Sequence, residues 1–249
     1  MSQTDVTRRG LLTGTAAIGS VLALGQPPVE AKSISGEVPW DPGLANAPSP
    51  IASGPLQFLT ADEAAFIDAA ISRLIPTDEL GPGAKEAGVT TFIDRQLAGH
   101  YGRAERWYMQ GPWKDGSKSQ GYQLRFTPAQ LYRAAIKAVD AHCQQMFQGK
   151  RFAELDAKQQ EKVLEDLENG AIKLDGADAG TFFAFLRQNT IEGFFADPMY
   201  GGNKDMVGWK LVGFPGARYN YLPYVTKHNQ KLDLPPVAIM GRPDWTPHS

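Results

Sequence analysis

The chain has 249 residues, of which 42% are hydrophobic and 21% charged, and its formal net charge is −2 at pH 7. This composition excludes a wholly disordered chain and a polytopic membrane protein, and the near-neutral charge argues against nucleic-acid binding, which needs a basic surface. With a single cysteine, the chain alone cannot build a disulfide framework or a cysteine-ligated zinc or iron–sulfur site.

Residues 1–31 are predicted to be a twin-arginine export signal. Arg8 and Arg9 directly precede an apolar stretch, residues 10–25, which as a helix is too short to cross about 30 Å of hydrocarbon. We place the cleavage site after Ala31. The pattern predicts recognition by the twin-arginine translocase and a periplasmic location, reached by an already folded protein. The alternative is a basic tail in which the two arginines occur by chance.

Residues 32–59 contain five prolines and are predicted to be an extended arm with little regular structure. Such an arm either stays mobile or lies along a partner. Trp40 is a large apolar side chain in this otherwise polar arm, and it favours docking.

Residues 60–196 are predicted to be a helical body. Thr60 and Glu63 have the spacing of a capping box, and apolar residues follow at helical spacing. The predicted helices lie at about 60–75, 90–110, 127–147, 156–169 and 178–195. The second of them is interrupted at Gly99 or Gly102.

Residues 197–249 are predicted to be an irregular tail, because glycine and proline recur and no amphipathic helix of useful length appears. The predicted fold class is therefore mainly α, a small helical bundle with extended, irregular N- and C-terminal segments. Irregular ends that are rich in aromatic residues need a surface to pack on, which is either their own body or another subunit.

The sequence offers no residue set typical of catalysis, cofactor binding or metal binding. Motifs for dinucleotides, covalent haem, zinc proteases and serine hydrolases are missing, and the four histidines are scattered. The histidines are His100, His142, His228 and His248. Cys143 has two interpretations of equal weight: a disulfide to another chain, or a small apolar side chain in the core.

The segment 189–221 is predicted to be a recognition surface, because it combines aromatic side chains with glycines that allow close backbone approach. The alternative is a compact loop that covers its own helical core, and both can hold. Together with Cys143, the candidate interface residues are Phe194, Phe195, Tyr200, Trp209, Phe214, Arg218 and Tyr219.

The run TIEGFFADPMYGGNKDMVGWKLVGFPG, residues 190–216, resembles the hallmark of the gluconate 2-dehydrogenase subunit 3 family. The twin-arginine start and the segment 59–89 extend the resemblance over most of the chain. It implies the small (gamma) subunit of a bacterial membrane-bound dehydrogenase for sugars or sugar acids.

The same resemblance implies two partners. One is a large flavoprotein of the glucose-methanol-choline oxidoreductase type, which holds FAD and oxidises the substrate. The other is a multihaem cytochrome c subunit, which passes the electrons on and anchors the complex to the inner membrane. The small subunit would be non-catalytic and would act as an export escort for a large subunit that lacks a signal.

Two other functions stay open from the sequence. The chain could be an oxidoreductase component that lends residues to a shared active site, or a periplasmic binding module for a small ligand. In the escort interpretation the substrate pocket belongs to the large subunit, so gluconate, glucose, fructose, sorbitol and related polyols fit equally well.

Overall fold

The computed structural model describes residues 54–239, except residues 115, 175, 176, 219, 233 and 235. Within that part of the chain there are six α-helices, joined by loops and short 3-10 turns, and no β-strand, which confirms the mainly α class. The helices are α1 (Ala61–Leu74), α2 (Val89–Ala98), α3 (Pro128–Met146), α4 (Ala157–Glu168), α5 (Ala179–Phe195) and α6 (Val207–Val212). The predicted export signal and nearly all of the predicted arm lie outside the described residues.

Four of the six described helices, α1, α3, α4 and α5, begin where a side chain accepts a hydrogen bond from one of the first free N–H groups. Before α1, the Glu63 N–H donates to the Thr60 hydroxyl at 3.2 Å, and the Thr60 N–H donates to the Glu63 carboxylate at 2.8 Å. The predicted capping box is therefore confirmed. Thr127 and Gln130 form the same arrangement before α3. These local signals explain why most helix boundaries follow from the sequence.

One predicted boundary differs from the structure, and the predicted irregular tail contains a short helix. The second helix ends at Ala98 rather than near residue 110, because Gly99 leaves the helical conformation and the chain then folds into turns. Gly102 is held so close to α2 that an added Cβ would overlap the Leu97 carbonyl. In the region predicted to lack a useful helix, the structure contains α6, which has 6 residues.

Helix α5 is the centre of the fold, since it packs against each of the other five helices. Such a helix must bury a wide apolar face, which explains its richness in phenylalanine, while residues such as Arg187, Gln188 and Glu192 remain exposed. The ring of Phe182 lies 6.3 Å from that of Phe66 in α1 and 5.4 Å from that of Tyr132 in α3. Each such buried ring contributes roughly 1.5–3 kcal/mol of apolar burial.

A buried polar contact fixes how α5 is rotated against its neighbours. The Asn189 amide donates to the hydroxyls of Tyr132, at 2.8 Å, and of Tyr101, at 3.2 Å. Burial raises the pKa of Tyr101 to about 12 and that of Tyr132 well above its ordinary value. Both hydroxyls therefore stay protonated at physiological pH and accept the amide hydrogens.

The segment that leads into α1 is held by the buried carboxylate of Asp94 in α2. Asp94 accepts backbone hydrogen bonds from Gln57 at 2.7 Å, Phe58 at 2.9 Å and Leu59 at 2.8 Å. In addition, the Arg133 guanidinium donates to the Phe58 carbonyl at 2.8 Å and lies over the Phe58 ring, 4.3 Å from its centroid. The entry of the chain into the helical body is thus fixed at α2 and α3.

We expect Asp94→Ala to lower the free energy of unfolding by about 2–4 kcal/mol, because three backbone N–H groups would lose their acceptor beside the core. Urea denaturation measures the change. Glu165→Ala, which removes an exposed carboxylate from α4, is the matched control and should change the value by less than about 0.5 kcal/mol. Equal effects of the two substitutions would contradict the role of Asp94.

Candidate partner interface

The segment between α5 and α6 is organised by the side chain of Asn203, which is 0% exposed. Its amide nitrogen donates to the Ala196 carbonyl at 2.8 Å, and its amide oxygen accepts from the Gly208 N–H at 2.8 Å. One side chain thereby joins the end of α5 to the first turn of α6. We call this arrangement of Asn203, Ala196 and Gly208 the Asn203 clasp.

Two glycines allow the backbone of this segment to lie directly on the last turn of α5. A Cβ at Gly202 would overlap the Gly193 carbonyl, and a Cβ at Gly208 would overlap the Phe194 carbonyl. Any larger residue at either position would push the segment away from α5. The glycines that suggested a close approach in the sequence therefore make that approach within the chain itself.

The segment between α5 and α6 contains three non-glycine residues in the left-handed backbone region. The φ angles are +48° at Asn203, +56° at Asp205 and +55° at Met206. Such conformations cost on the order of 1 kcal/mol or more each and persist only where surrounding contacts hold them. One such contact is the Lys204 N–H, which donates to the Ala87 carbonyl at 2.9 Å.

The C-terminal part of the described chain supports the clasp from a second side. The Ile239 N–H donates to the Asp197 carboxylate at 2.7 Å. Ala238 is buried in a small apolar cluster with Met206 and Trp209. The residues near position 238 therefore cover part of α6 and limit its movement.

An apolar groove of about 350 Å³ opens between the end of α1, the loop that follows it, and α6. We call it the Leu80–Leu211 groove, after the two side chains that border it. Leu80 is 72% exposed and Leu211 is 47% exposed. The lining is mainly apolar and includes Leu74, Pro76, Leu80, Phe194, Val207 and Leu211, together with the charged residues Asp78 and Lys210. Clustered exposed apolar side chains of this kind are typical of a surface that another protein covers.

The structure divides the predicted interface residues into an exposed and a buried set. Phe195, Tyr200 and Phe214 are exposed. Phe194 and Trp209 are buried, and the Trp209 indole N–H donates to the Phe195 carbonyl at 2.8 Å. The segment thus covers its own core with one set of aromatic rings and presents the other set to the outside.

The remaining interface candidates of this segment are Arg218 and Tyr219. Arg218 is half-buried, and its Nε donates to the Pro215 carbonyl at 3.2 Å. Four predicted residues lie outside the part of the chain that the structure describes: Tyr219 of the candidate interface, and Arg8, Arg9 and Ala31 of the export signal.

Cys143 lies in the core of the helical body and is 0% exposed. Burial raises the pKa of its thiol to about 12, so the sulfur is neither ionised nor open to another chain at physiological pH. Of the two interpretations from the sequence, the structure supports the small apolar core residue. This corrects the inclusion of Cys143 among the interface residues, because α3 turns that position inward.

Among the described residues, no three or more His, Cys, Asp or Glu side chains are placed so that they could hold a metal ion. The described histidines lie apart from one another: His100 pairs with Glu105 at the surface, His142 is in α3, and His228 is in an exposed turn. In the same part of the chain, no helix has both the length and the apolar character needed to span a membrane.

Sequence reasoning missed Asn203, Leu80 and Leu211. The signal for Asn203 was available, because it follows two glycines and asparagine adopts the left-handed conformation more readily than most residues. No local signal pairs Leu80 with Leu211, since they are distant in sequence and come together only in the folded chain.

One family model, described as gluconate 2-dehydrogenase subunit 3, matches residues 61–216, which is well over half of the chain. The match begins at the first residue of α1 and ends at Gly216, so it includes all six helices and the Asn203 clasp. No curated protein and no solved structure is similar enough to the chain to match it.

We expect Asn203→Ala to lower the free energy of unfolding by about 3 kcal/mol, because two buried backbone groups lose their partners and alanine disfavours a positive φ. Asn203→Gly loses the same hydrogen bonds but suits the backbone, so its loss should be smaller by about 1 kcal/mol.

Urea denaturation of both variants measures this difference. Lys204→Ala is the control, because the Lys204 side chain is exposed and the hydrogen bond of this residue to Ala87 is made by its backbone, which the substitution keeps. If Asn203→Ala is no less stable than Lys204→Ala, the clasp does not hold the segment.

Proposed function

Because the chain belongs to the gluconate 2-dehydrogenase subunit 3 family, we propose that it is the accessory small subunit of an FAD-dependent dehydrogenase for a sugar, sugar acid or polyol. In this proposal the large flavoprotein subunit holds FAD and oxidises the substrate, and a multihaem cytochrome c subunit takes the electrons. This chain binds the large subunit, stabilises it and escorts it into the periplasm. The complex as a whole is then peripheral to the inner membrane.

The observation that carries the proposal is the exposed apolar surface at the Leu80–Leu211 groove, which lies inside the family match. Val212 and Phe214 continue the exposed apolar side chains beyond Leu211. Burying one such side chain against a partner is worth roughly 1.5–3 kcal/mol. A few of them, packed together, supply the apolar centre that a stable protein–protein interface needs.

The Asn203 clasp fixes the shape of this surface before a partner binds. It fixes the start of α6, and α6 carries the Val207 and Leu211 side chains of the groove wall. A surface that is already ordered loses little conformational freedom on association, so more of the apolar contact energy appears as affinity.

The predicted twin-arginine signal supports the escort role, because it requires the two subunits to bind each other before export. The twin-arginine route carries folded proteins, and a large subunit without its own signal can follow only if it is bound before translocation. The interface with the large subunit must therefore form in the cytoplasm, where the flavoprotein folds and takes up FAD.

A double substitution, Leu80→Glu with Leu211→Glu, should weaken binding of the large subunit by about 100-fold or more, because two carboxylates would be buried in an apolar contact. Both side chains are exposed in the free chain, so its own fold should be preserved. Co-purification from cells that make both subunits, followed by flavin absorbance, measures the effect.

The matched control is Leu222→Glu, at an exposed leucine that does not line the groove. It should retain the flavoprotein. Equal retention by the groove variant and the control would show that the large subunit binds elsewhere.

Replacing Arg8 and Arg9 by lysine should leave both chains in the cytoplasm, since the charge is kept while the arginine pair read by the translocase is lost. Cell fractionation, with dye-linked dehydrogenase activity as the readout, tests this expectation. Export of the large subunit while the small chain is retained would overturn the escort role and leave the export signal itself intact.

A further inference from the structure

A second open groove, of about 590 Å³, lies in the loop between α2 and α3 and shares no lining residue with the Leu80–Leu211 groove. We call it the Trp107–Trp113 groove, after two of the residues that line it. The described residues of its lining include four aromatic residues, three glutamines and one lysine. Its volume is typical of ligand sites, which measure roughly 300–1,000 Å³ and combine apolar surface with a few polar groups. Neither the helical core nor the proposed escort role accounts for it.

One side of the groove is built from rings that the helical body holds in place. The centroid of the Trp107 ring lies 5.0 Å from that of Tyr122 and 6.0 Å from that of Phe185 in α5. The Tyr122 ring stacks on Phe185 at 5.3 Å, and its hydroxyl donates to the Phe126 carbonyl at 2.5 Å. Burial raises the pKa of Tyr122 to about 12, so the hydroxyl keeps its hydrogen at physiological pH. A ligand would therefore meet rings that are already ordered.

Two further aromatic side chains of the groove are open to solvent. Tyr108 is 80% exposed and Trp113 is 41% exposed. Gly111 leaves room for the Trp113 ring, since a Cβ at Gly111 would come within 3.3 Å of it. The negative face of an aromatic ring attracts the weakly positive C–H groups on the flat face of a pyranose sugar. Exposed tryptophan and tyrosine rings are therefore suited to stack on sugar rings.

Glutamine amides at the same groove supply hydrogen-bonding groups for sugar hydroxyls. The Gln123 amide nitrogen donates to the Ser117 carbonyl at 2.9 Å, and its oxygen accepts from the Gly116 N–H at 2.5 Å. The Gln120 amide oxygen accepts from the Ser117 N–H at 2.8 Å. These backbone contacts fix the orientation of both amides. Because an amide oxygen has two lone pairs, each can accept a further hydrogen bond from a hydroxyl.

The charge of the groove favours an acidic ligand. Lys114 is exposed and is the only charged residue among the described residues that line the groove. No acidic side chain among these residues would repel an anion. A carboxylate bound near Lys114 would therefore be attracted, whereas a cationic ligand would be repelled.

We propose that the Trp107–Trp113 groove binds an acidic oligosaccharide, that is, a short chain of pyranose rings that carry carboxylates. The sugar rings stack on Trp113 and Tyr108, hydroxyls donate to the two oriented glutamines, and one carboxylate pairs with Lys114. An open groove suits a chain molecule, since the chain can continue beyond either end. The proposal is independent of the escort role, because the two grooves share no lining residue.

Isothermal titration calorimetry of the purified full chain with a hexamer of α-1,4-linked galacturonic acid tests this inference. We expect a Kd on the order of 100 µM. Trp113→Ala should raise the Kd about tenfold or more, because one stacking ring is lost. The matched control, Tyr200→Ala, removes an exposed aromatic ring that does not line the groove and should leave the Kd unchanged.

The charge contact is tested with the methyl ester of the same hexamer, which keeps the sugar rings but has no carboxylate charge. Lys114→Gln should weaken binding of the acid about threefold at low salt and leave binding of the ester unchanged. A merely structural role of Lys114 would change both ligands alike. Lys158→Gln, at an exposed lysine of α4, is the control and should change neither.

A decaproline peptide distinguishes the sugar from the other class of ligand that aromatic grooves bind, a proline-rich protein segment. It should bind at least about tenfold more weakly than the hexamer, because its prolines offer no hydroxyls to the glutamines and no carboxylate beside Lys114. Tighter binding of the peptide than of the hexamer overturns the proposal. So does the absence of hexamer binding at about 1 mM, or a Kd that Trp113→Ala leaves unchanged.

Discussion

The two hydrogen bonds of the buried Asn203 side chain hold together everything that lies beyond α5. They fix the end of α5 to the start of α6 across a segment in which several residues adopt an unfavourable backbone conformation. Once α6 is in place, Trp209 can pack under the C-terminal residues, and Leu211 can border the groove. A single amide thus converts a glycine-rich stretch into a surface of defined shape.

Helix α5 supports two surfaces that differ in chemistry. Phe194, near the end of the helix, contributes to the mainly apolar Leu80–Leu211 groove, and Phe185, in its middle, contacts the aromatic rings of Trp107 and Tyr122. The central helix therefore serves as a common scaffold, and the loops on either side of it determine what each surface can bind. Such a division suits the accessory subunit that we propose.

The sequence was a good guide where structure is decided locally and a poor one where it is decided by distant contacts. Capping residues such as Thr60 and Thr127 predicted the helix starts, since the side chain and its partners lie within one turn. The inward orientation of Cys143 and the meeting of Leu80 with Leu211 depend on how helices pack, which one sequence does not reveal. The role of Asp94 was likewise not predicted, because its burial and its three backbone partners depend on contacts between segments that are distant in sequence.

The attachment of the incoming chain at Asp94 has a mechanical consequence. A protein drawn through a membrane by its N-terminus experiences tension where that terminus joins the globule. During the export that we propose, the pull on this chain would meet three hydrogen bonds on one carboxylate, together with the Arg133 hydrogen bond to the Phe58 carbonyl, before it reached the first helix. Bonds that must break together resist pulling better than bonds that break one at a time, so this attachment would protect the helical body during the proposed translocation.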